Sequence, residues 1–428
     1  MQFKKFDRKS HPIACQTKSP LRLLLKQQMN LYEQHPYWLM KDGIVASYPS
    51  LGKNLAIDVA IMGAGISAAL TASHLRNSGL SVAVFDRRHA GMGSTAASTA
   101  FLQYEIDTPL TELRGYVGEK NAVKSYELCR EAIYTIGTIC KKLKPEFGFN
   151  FRPSTQYASF KTHYDKLLQE YKLRRKHGFN VEWMEKGDLK KIFGFEAPGG
   201  IFSEDGGEVD AYLLTHALLK DFEKSGHTVY NNTPILDIEY SKHGATLHTH
   251  NDLKIKAKKL VIACGYESLQ YVPKKIADIY STYALVSEPL HDKYFWHRNS
   301  LIWETATPYL YFRVAGDNRI LIGGRDDPYH PPHIFPSRIK TKTEQLKQAF
   351  LKKMPHIPLR PDFSWAGAFA VTKDGLPYIG MIPEKPHTYF ALGFGGNGIT
   401  FSVVAANIIH DMVMGKKNEN AELFMFNR

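Results

Sequence analysis

Ile57-Asp58-Val59-Ala60-Ile61-Met62-Gly63-Ala64-Gly65-Ile66-Ser67-Ala68, running on to Val82-Ala83-Val84-Phe85-Asp86, decides the fold. The first six residues form a short, β-rich apolar run of the kind a strand buried on both faces requires. A helical pattern follows through Leu70, Ala72 and Leu75 and stops at Asn77-Ser78-Gly79. Ser81 to Phe85 make a second buried strand, which ends on Asp86. Strand, glycine turn, helix and strand in this order form a dinucleotide-binding unit. Gly63 permits the tight turn, Gly65 leaves room for a pyrophosphate, and Ala68 lets helix and strand pack closely. The helix start, with Ala64, Ile66 and Ser67, offers unpaired N–H groups to phosphates. Asp86 lies roughly 20 residues on, where an acid accepts hydrogen bonds from ribose hydroxyls. A lone glycine turn carries little weight, but the whole unit points to a bound dinucleotide.

The chain of 428 residues is 43% hydrophobic, enough for a large core divided between two domains. Its four cysteines (Cys15, Cys129, Cys140, Cys264) show no CxxC or zinc-like spacing. Reduced thiols, no metal site and a cytoplasmic location are expected. No apolar run approaches the length of a bilayer span, and no secretory apolar segment follows the basic start. A net charge of +13 would suit nucleic acid or an anionic membrane surface. The lysines are scattered, however, on helical surfaces such as Lys166 to Lys176, with no nucleic-acid-binding motif beside them. A solvated surface around an anionic cofactor is the better reading. Neither a nucleic-acid partner nor a membrane span is expected.

Outward from the opening unit, residues 1–50 read as a basic arm broken by prolines, with one short helix near Leu21 to Leu31 and an aromatic pair, Tyr37-Trp38, that can anchor it to the body. Arg87 and Arg88 follow Asp86 and are expected to neutralise cofactor phosphates or face solvent. The stretch from Ser94 through Thr95, Ala97, Ser98 and Thr99 is small and hydroxylated, suited to wrapping a phosphate or a ring edge as well as to capping a helix. Helices follow from Pro109 to Tyr116 and from Asn121 to Lys142. From Phe149 the character turns strand-like. Asp210 then caps a helix to Ser225, and strands at Ile235 and from Leu260 to Ala263-Cys264-Gly265 lead back to the cofactor sheet.

Ser281 to Val286, Tyr309 to Val314 and Arg319 to Gly323 read as antiparallel strands. Tyr309, Tyr311 and Arg313 share one face by strand periodicity. An arginine flanked by aromatic rings can clamp a carboxylate bidentately, or can be an ordinary surface side chain. Near the end, the strand Thr388 to Leu392 leads into Gly393-Phe394-Gly395-Gly396-Asn397-Gly398 and a helix from Ile399 and Thr400 onward. This second strand–glycine loop–helix junction offers N–H groups to an electron-rich ring edge.

Taken in order, these motifs, with Ile322-Gly323-Gly324 and Asp374-Gly375-Leu376-Pro377-Tyr378-Ile379-Gly380, resemble the FAD-dependent D-amino-acid oxidase superfamily. The branch is that of glycine oxidase, sarcosine oxidase and γ-glutamylputrescine oxidase. The resemblance covers nearly the whole chain from Tyr37. It implies an α/β fold, in which a Rossmann-like FAD-binding domain carries an inserted antiparallel β-sheet substrate domain. The FAD domain would comprise residues 51–148, 206–275 and 361–428, and the substrate domain residues 149–205 and 276–360. Asp86 would hold the adenosine ribose and Gly63 to Ser67 the pyrophosphate. Ser94 to Thr99 would run towards the flavin, and Gly395 to Thr400 would hold its pyrimidine edge. Ile235, Ala263 and Gly265 join the cofactor-binding set. Arg313 would hold a substrate carboxylate, with Tyr311 at its border.

Such enzymes pass a hydride from the carbon beside a neutral amine to flavin N5. The imine is then hydrolysed, and O2 or another acceptor reoxidises the flavin. No general base is required. Some relatives hold flavin through a cysteine shortly before the segment matching Thr372, where Gly367, Ala368 and Phe369 stand here, so FAD is expected to be non-covalent. A dehydrogenase serving a quinone or protein partner is the alternative. A tRNA-modifying oxidoreductase is disfavoured because no RNA-binding or methyltransferase domain is visible.

Overall fold

In a computed structural model, which describes residues 31–144, 147–329 and 335–428, the opening unit forms as expected. Strand β2 (Leu55–Met62) runs parallel to β3 (Val82–Phe85), with helix α2 (Ile66–Leu75) between them in sequence. All of α2 except His74 is buried. An element apolar on every side must be covered on every side. Helices α5 (Ala211–Lys224) and α7 (Gly398–Val413) pack against it, and the amphipathic α3 (Glu119–Leu143) packs in turn on α7.

β13 (Lys254–Ile262) pairs with β2 in parallel, Leu260 opposite Ala60, and so returns to the dinucleotide sheet. β10 (Thr228–Tyr230) and β20 (Thr388–Leu392) complete its parallel part, on β3 and β13 respectively. An antiparallel meander of β11 (Ile235–Ser241) and β12 (Gly244–Thr249), with β19 (Tyr378–Gly380) on β20, brings the sheet to eight strands. The carboxyl ends of the parallel strands share one edge, where open α/β sheets take their ligands.

A nine-stranded sheet stands over that edge, in the order β1 (Tyr32–Gln34), β18 (Pro361–Thr372), β14 (Ala277–Ser287), β17 (Ile320–Pro328), β16 (Leu310–Val314), β15 (Leu301–Glu304), β6 (Ser154–Tyr157), β8 (Gly199–Ser203), β7 (Val181–Glu185). Its pairs are antiparallel except β15 with β6. Alternation divides its faces. Phe312, Ile322 and Leu285 lie under helix α6 (Phe335–Lys353) through Ile339, Leu346 and Phe350. Tyr311, Gly323 and Ala284 take the opposite face. A small sheet of β4 (Phe101–Gln103), β9 (Gly206–Glu208) and β5 (Asn150–Phe151) bridges the two halves.

One expectation changes. Pro361–Thr372 does not open the last cofactor-domain segment; it pairs along all of β14, from Ala277 opposite Thr372 to Ser287 opposite Pro361. The arm expected over residues 1–50 is, from residue 31 on, part of the folded body, with Tyr37-Trp38 buried as the anchoring reading expects. β1 forms the edge of the nine-stranded sheet on β18, and helix α1 (Tyr37–Asp42) buries Tyr37 and Trp38. The helix expected near Leu21 to Leu31 falls outside the described residues, Leu31 excepted.

Candidate active site

One cavity of about 700 Å3 opens where the parallel strands end. Gly63 sits at its rim with φ +99°, and a Cβ there would stand 2.4 Å from the Ala263 carbonyl oxygen. The close approach of β13, as much as the turn, therefore demands glycine. Gly65 begins α2 with no side chain to cap it, and its missing Cβ would be 3.0 Å from Thr95 Oγ1. The Ile66 N–H donates to that same hydroxyl at 3.0 Å, and Ser67 Oγ meets Ser402 Oγ of α7 at 2.6 Å. Asp86 accepts from the N–H groups of Ala64 (2.7 Å) and Arg88 (2.8 Å), so its carboxylate fastens the glycine turn. Burial raises its pKa.

Of the expected cofactor-binding residues, Ala64 alone is not part of the cavity wall; Ile235, Ala263 and Gly265 all are. Arg87 and Arg88 line it too, but Glu267 already pairs with both, Arg88 Nη2 at 2.9 Å. One carboxylate between two guanidinium groups leaves a net positive charge at this part of the wall. Ser94 Oγ is buried with no partner among the described residues. A helix start opened by a glycine, with only its Ile66 N–H held by a side chain, glycines with no room for a Cβ and an orphan hydroxyl fit the pyrophosphate-to-flavin track of FAD. Cys264 is in the wall as well, and burial pushes its thiol pKa up.

The stretch Ala97-Ser98-Thr99 runs between the cavity and the nine-stranded sheet. Its three successive carbonyl groups are each held by a buried donor. Trp365 Nε1 donates to Ala97 O (2.9 Å) and Trp38 Nε1 to Ser98 O (2.6 Å). Arg313 donates to Thr99 O through both Nε (3.0 Å) and Nη2 (2.9 Å). The third guanidinium nitrogen, Nη1, pairs with Glu208 at 2.9 Å. Arg313 is 2% exposed and does not line the cavity. The expected carboxylate clamp is therefore replaced by a backbone clamp.

Strand register explains the difference. Gln156, Trp303, Tyr311, Gly323, Ala284 and Trp365 are successive cross-strand partners and form one row across the sheet. That row is the cavity floor. Tyr311 lies flat along it, since a Cβ on Gly323 would stand 2.2 Å from its hydroxyl, and it accepts a hydrogen bond from Thr99 Oγ1 at 3.1 Å. Arg313 is on the same face, as periodicity predicts, but one row along, beneath Thr99.

The glycine loop before α7 is tied down by a segment the sequence analysis passed over. Asp107 Oδ2 accepts from Gly396 N–H at 2.8 Å, and Cβ atoms on Gly395 or Gly396 would fall 2.8 or 2.6 Å from its oxygens. One of the loop's N–H groups is thus already taken. The Asn397 amide donates to the carbonyl groups of Gln103 (3.2 Å) and Glu105 (2.9 Å). Gly398, Ile399 and Thr400 continue the wall into α7. Burial pushes the Glu105 carboxyl up to about 7, against the pull of Arg174. Nothing in the local sequence marks Asp107, Glu105 or Glu304, because their partners are distant along the chain.

The family model described as FAD dependent oxidoreductase (DAO) matches residues 58–412. Among curated proteins, the probable oxidoreductase OrdL of Haemophilus influenzae is 22% identical over 398 residues, covering 90% of this chain and 89% of its own. The glycine oxidase of Bacillus licheniformis is 26% identical over 385 residues, covering 87% and 97%. The crystal structure of glycine oxidase from Geobacillus kaustophilus matches with a TM-score of 0.72 at 21% identity, over 86% of this chain and 96% of that one. This last likeness is one of fold. Among the described residues no helix is long and apolar enough to cross a membrane.

Proposed function

The chain belongs to the DAO family of FAD-dependent oxidoreductases, and from that premise we propose that it oxidises the C–N bond of a small amine or amino acid. Relatives named glycine oxidase support the reaction class. The observation that carries it is the meeting, in one cavity, of the glycine turn at Gly63, the pinned Ala97–Thr99 stretch and the aromatic floor at Tyr311. When bound, FAD would supply the hydride acceptor for the carbon beside the nitrogen, with O2 or another acceptor as the final destination of the electron pair.

The protein's part is binding and orientation. Gly63 to Ser67 hold the pyrophosphate, Asp86 the ribose, Ser94 to Thr99 the approach to the flavin, and Gly395 to Thr400 its far edge. Trp303 and Tyr311 support the substrate from below, and Arg313 keeps Thr99 in place without touching it. Loss of the hydride from the carbon beside the neutral nitrogen would leave an iminium, which gives its proton to solvent water and is hydrolysed. FAD is held without a covalent bond. The cytoplasm is the proposed location, supported by free thiols at Cys129, Cys140 and Cys264.

The test is anaerobic mixing of the purified flavoprotein with glycine, sarcosine, proline, D-alanine, γ-glutamylputrescine and simple diamines. Bleaching of the flavin absorbance by one of them is expected. Bleaching by NADPH and by no amine would overturn the reading. Acid precipitation should leave the yellow colour in the supernatant.

A further inference from the structure

We propose that the inner end of the cavity receives an ammonium group, so that the substrate is a diamine with one neutral, reacting nitrogen and one charged nitrogen, rather than an α-amino acid held by its carboxylate. The inference rests on the C–N reading above and narrows it. It starts from charge. Among the described residues of the wall the cationic side chains are Arg87 and Arg88, both engaged by Glu267 beside Asp86. At the end marked by Tyr311 and Asn397, the wall carries Glu105 and Glu304.

Glu105 is 3% exposed and Glu304 8%, and each aims an oxygen with no hydrogen-bond partner among the described residues: Oε2 of Glu105 and Oε1 of Glu304. A buried carboxylate oxygen left unpaired is costly unless something fills the place. A guanidinium group lies near each acid. Arg174 is 3.6 Å from Glu105 but gives its 2.8 Å contact to Glu170 and another bond to Gln156 Oε1 at 3.2 Å. Arg325 Nη2 forms a long ion pair with that same Oε1 of Glu304, at 3.5 Å, while its Nη1 donates to Pro308 O at 2.7 Å, so Oε2 of Glu105 is the oxygen with no cation or donor against it among the described residues. Neither arginine lines the cavity. The other oxygen of Glu304 is already taken by the hydroxyls of Tyr157 and Ser159, at 3.1 Å each.

A ligand entering here meets carboxylate oxygens and the rings of Trp303, Tyr309 and Tyr311. Acids and aromatic faces attract ammonium groups and repel carboxylates. The residue that might have served a carboxylate, Arg313, is committed to Thr99 and Glu208. A short methylene chain can rest on the ring floor while the charged nitrogen reaches the acids.

The experiment compares 1,4-diaminobutane with 4-aminobutyrate and sarcosine on the FAD-loaded protein. It also measures binding of tetramethylammonium and acetate, which do not turn over, by calorimetry and by the shift of the flavin spectrum. Diaminobutane is expected to reduce the flavin with an apparent affinity at least about tenfold better than 4-aminobutyrate, and tetramethylammonium to bind where acetate does not. Glu105→Gln and Glu304→Gln should each weaken tetramethylammonium by about tenfold at unchanged FAD content, since a quaternary cation donates no hydrogen bond and loses only the attraction of one nearby charge. If one variant fails to fold, the other carries the test. Tighter binding of acetate with reduction by sarcosine would overturn the diamine inference and leave C–N oxidation standing. If no amine reduces the flavin, the C–N reading falls, and the binding pair still decides whether the end accepts cations.

Discussion

Replacing Arg313 with methionine would leave Glu208 buried, with Arg152 (2.8 Å) as its remaining cation, and would free the Thr99 carbonyl. Breaking one side of a buried pair costs about 3–5 kcal/mol, and the surviving Arg152 puts the expected loss near the lower end, at about 3 kcal/mol. Denaturant unfolding at fixed FAD concentration measures it. A variant with undiminished stability and a raised KM would instead show a guanidinium that serves the substrate. The residue type and its face on β16 were legible from the Tyr309-Tyr311-Arg313 alternation. Which row of that face lies open was not, because it depends on where Ala97–Thr99 crosses the sheet. The same crossing explains Trp38 and Trp365, whose indole N–H groups find backbone partners at Ser98 and Ala97 as buried indoles generally must.

Between elements, the loop from Gly393 to Gly398 depends on Asp107 for its position. Asp107→Ala removes the acceptor of the Gly396 N–H and the carboxylate against which two glycines fit. A charged hydrogen bond is worth about 1.5–3 kcal/mol, so FAD should bind about 10- to 100-fold more weakly. The apoprotein should lose stability as well, by no more than about 1.5–3 kcal/mol, because the same hydrogen bond is present without FAD. Fluorescence titration of apoprotein with FAD reads the effect. Unaltered affinity would mean the loop holds its shape without Asp107. The strand–loop–helix order around this junction was readable from the glycines and the apolar helix after them; its anchor was not.

Across the whole molecule, the cavity is walled by both large sheets, so a bound cofactor stabilises them together. Removing FAD should lower the stability of the entire fold in one transition. At a free concentration 100 times its dissociation constant, FAD contributes about 2.7 kcal/mol. A melting curve that does not move when FAD is restored would count against this cavity as the cofactor site. The contrast in charge, with paired arginines beside Asp86 and buried acids beside Tyr311, also belongs to this scale. It arises where β15, β6 and the 103–107 segment meet.

By itself the sequence determined the β2–α2–β3 unit, the Asp86 terminus, the return of β13 and the FAD-dependent oxidoreductase family. Much of that information is local: glycine at a turn, apolar runs of strand length, an acid some 20 residues on. Tertiary structure alone decided that Arg313 grips backbone, that Glu267 pairs with both Arg87 and Arg88, that Pro361–Thr372 joins the second sheet, and that Glu105 and Glu304 line the cavity. The physical reason is separation along the chain. Thr99 and Arg313 are 214 residues apart, Ala97 and Trp365 268, and Asp107 and Gly396 289. Periodicity names the face a side chain takes; only the packing of distant segments names what that face meets.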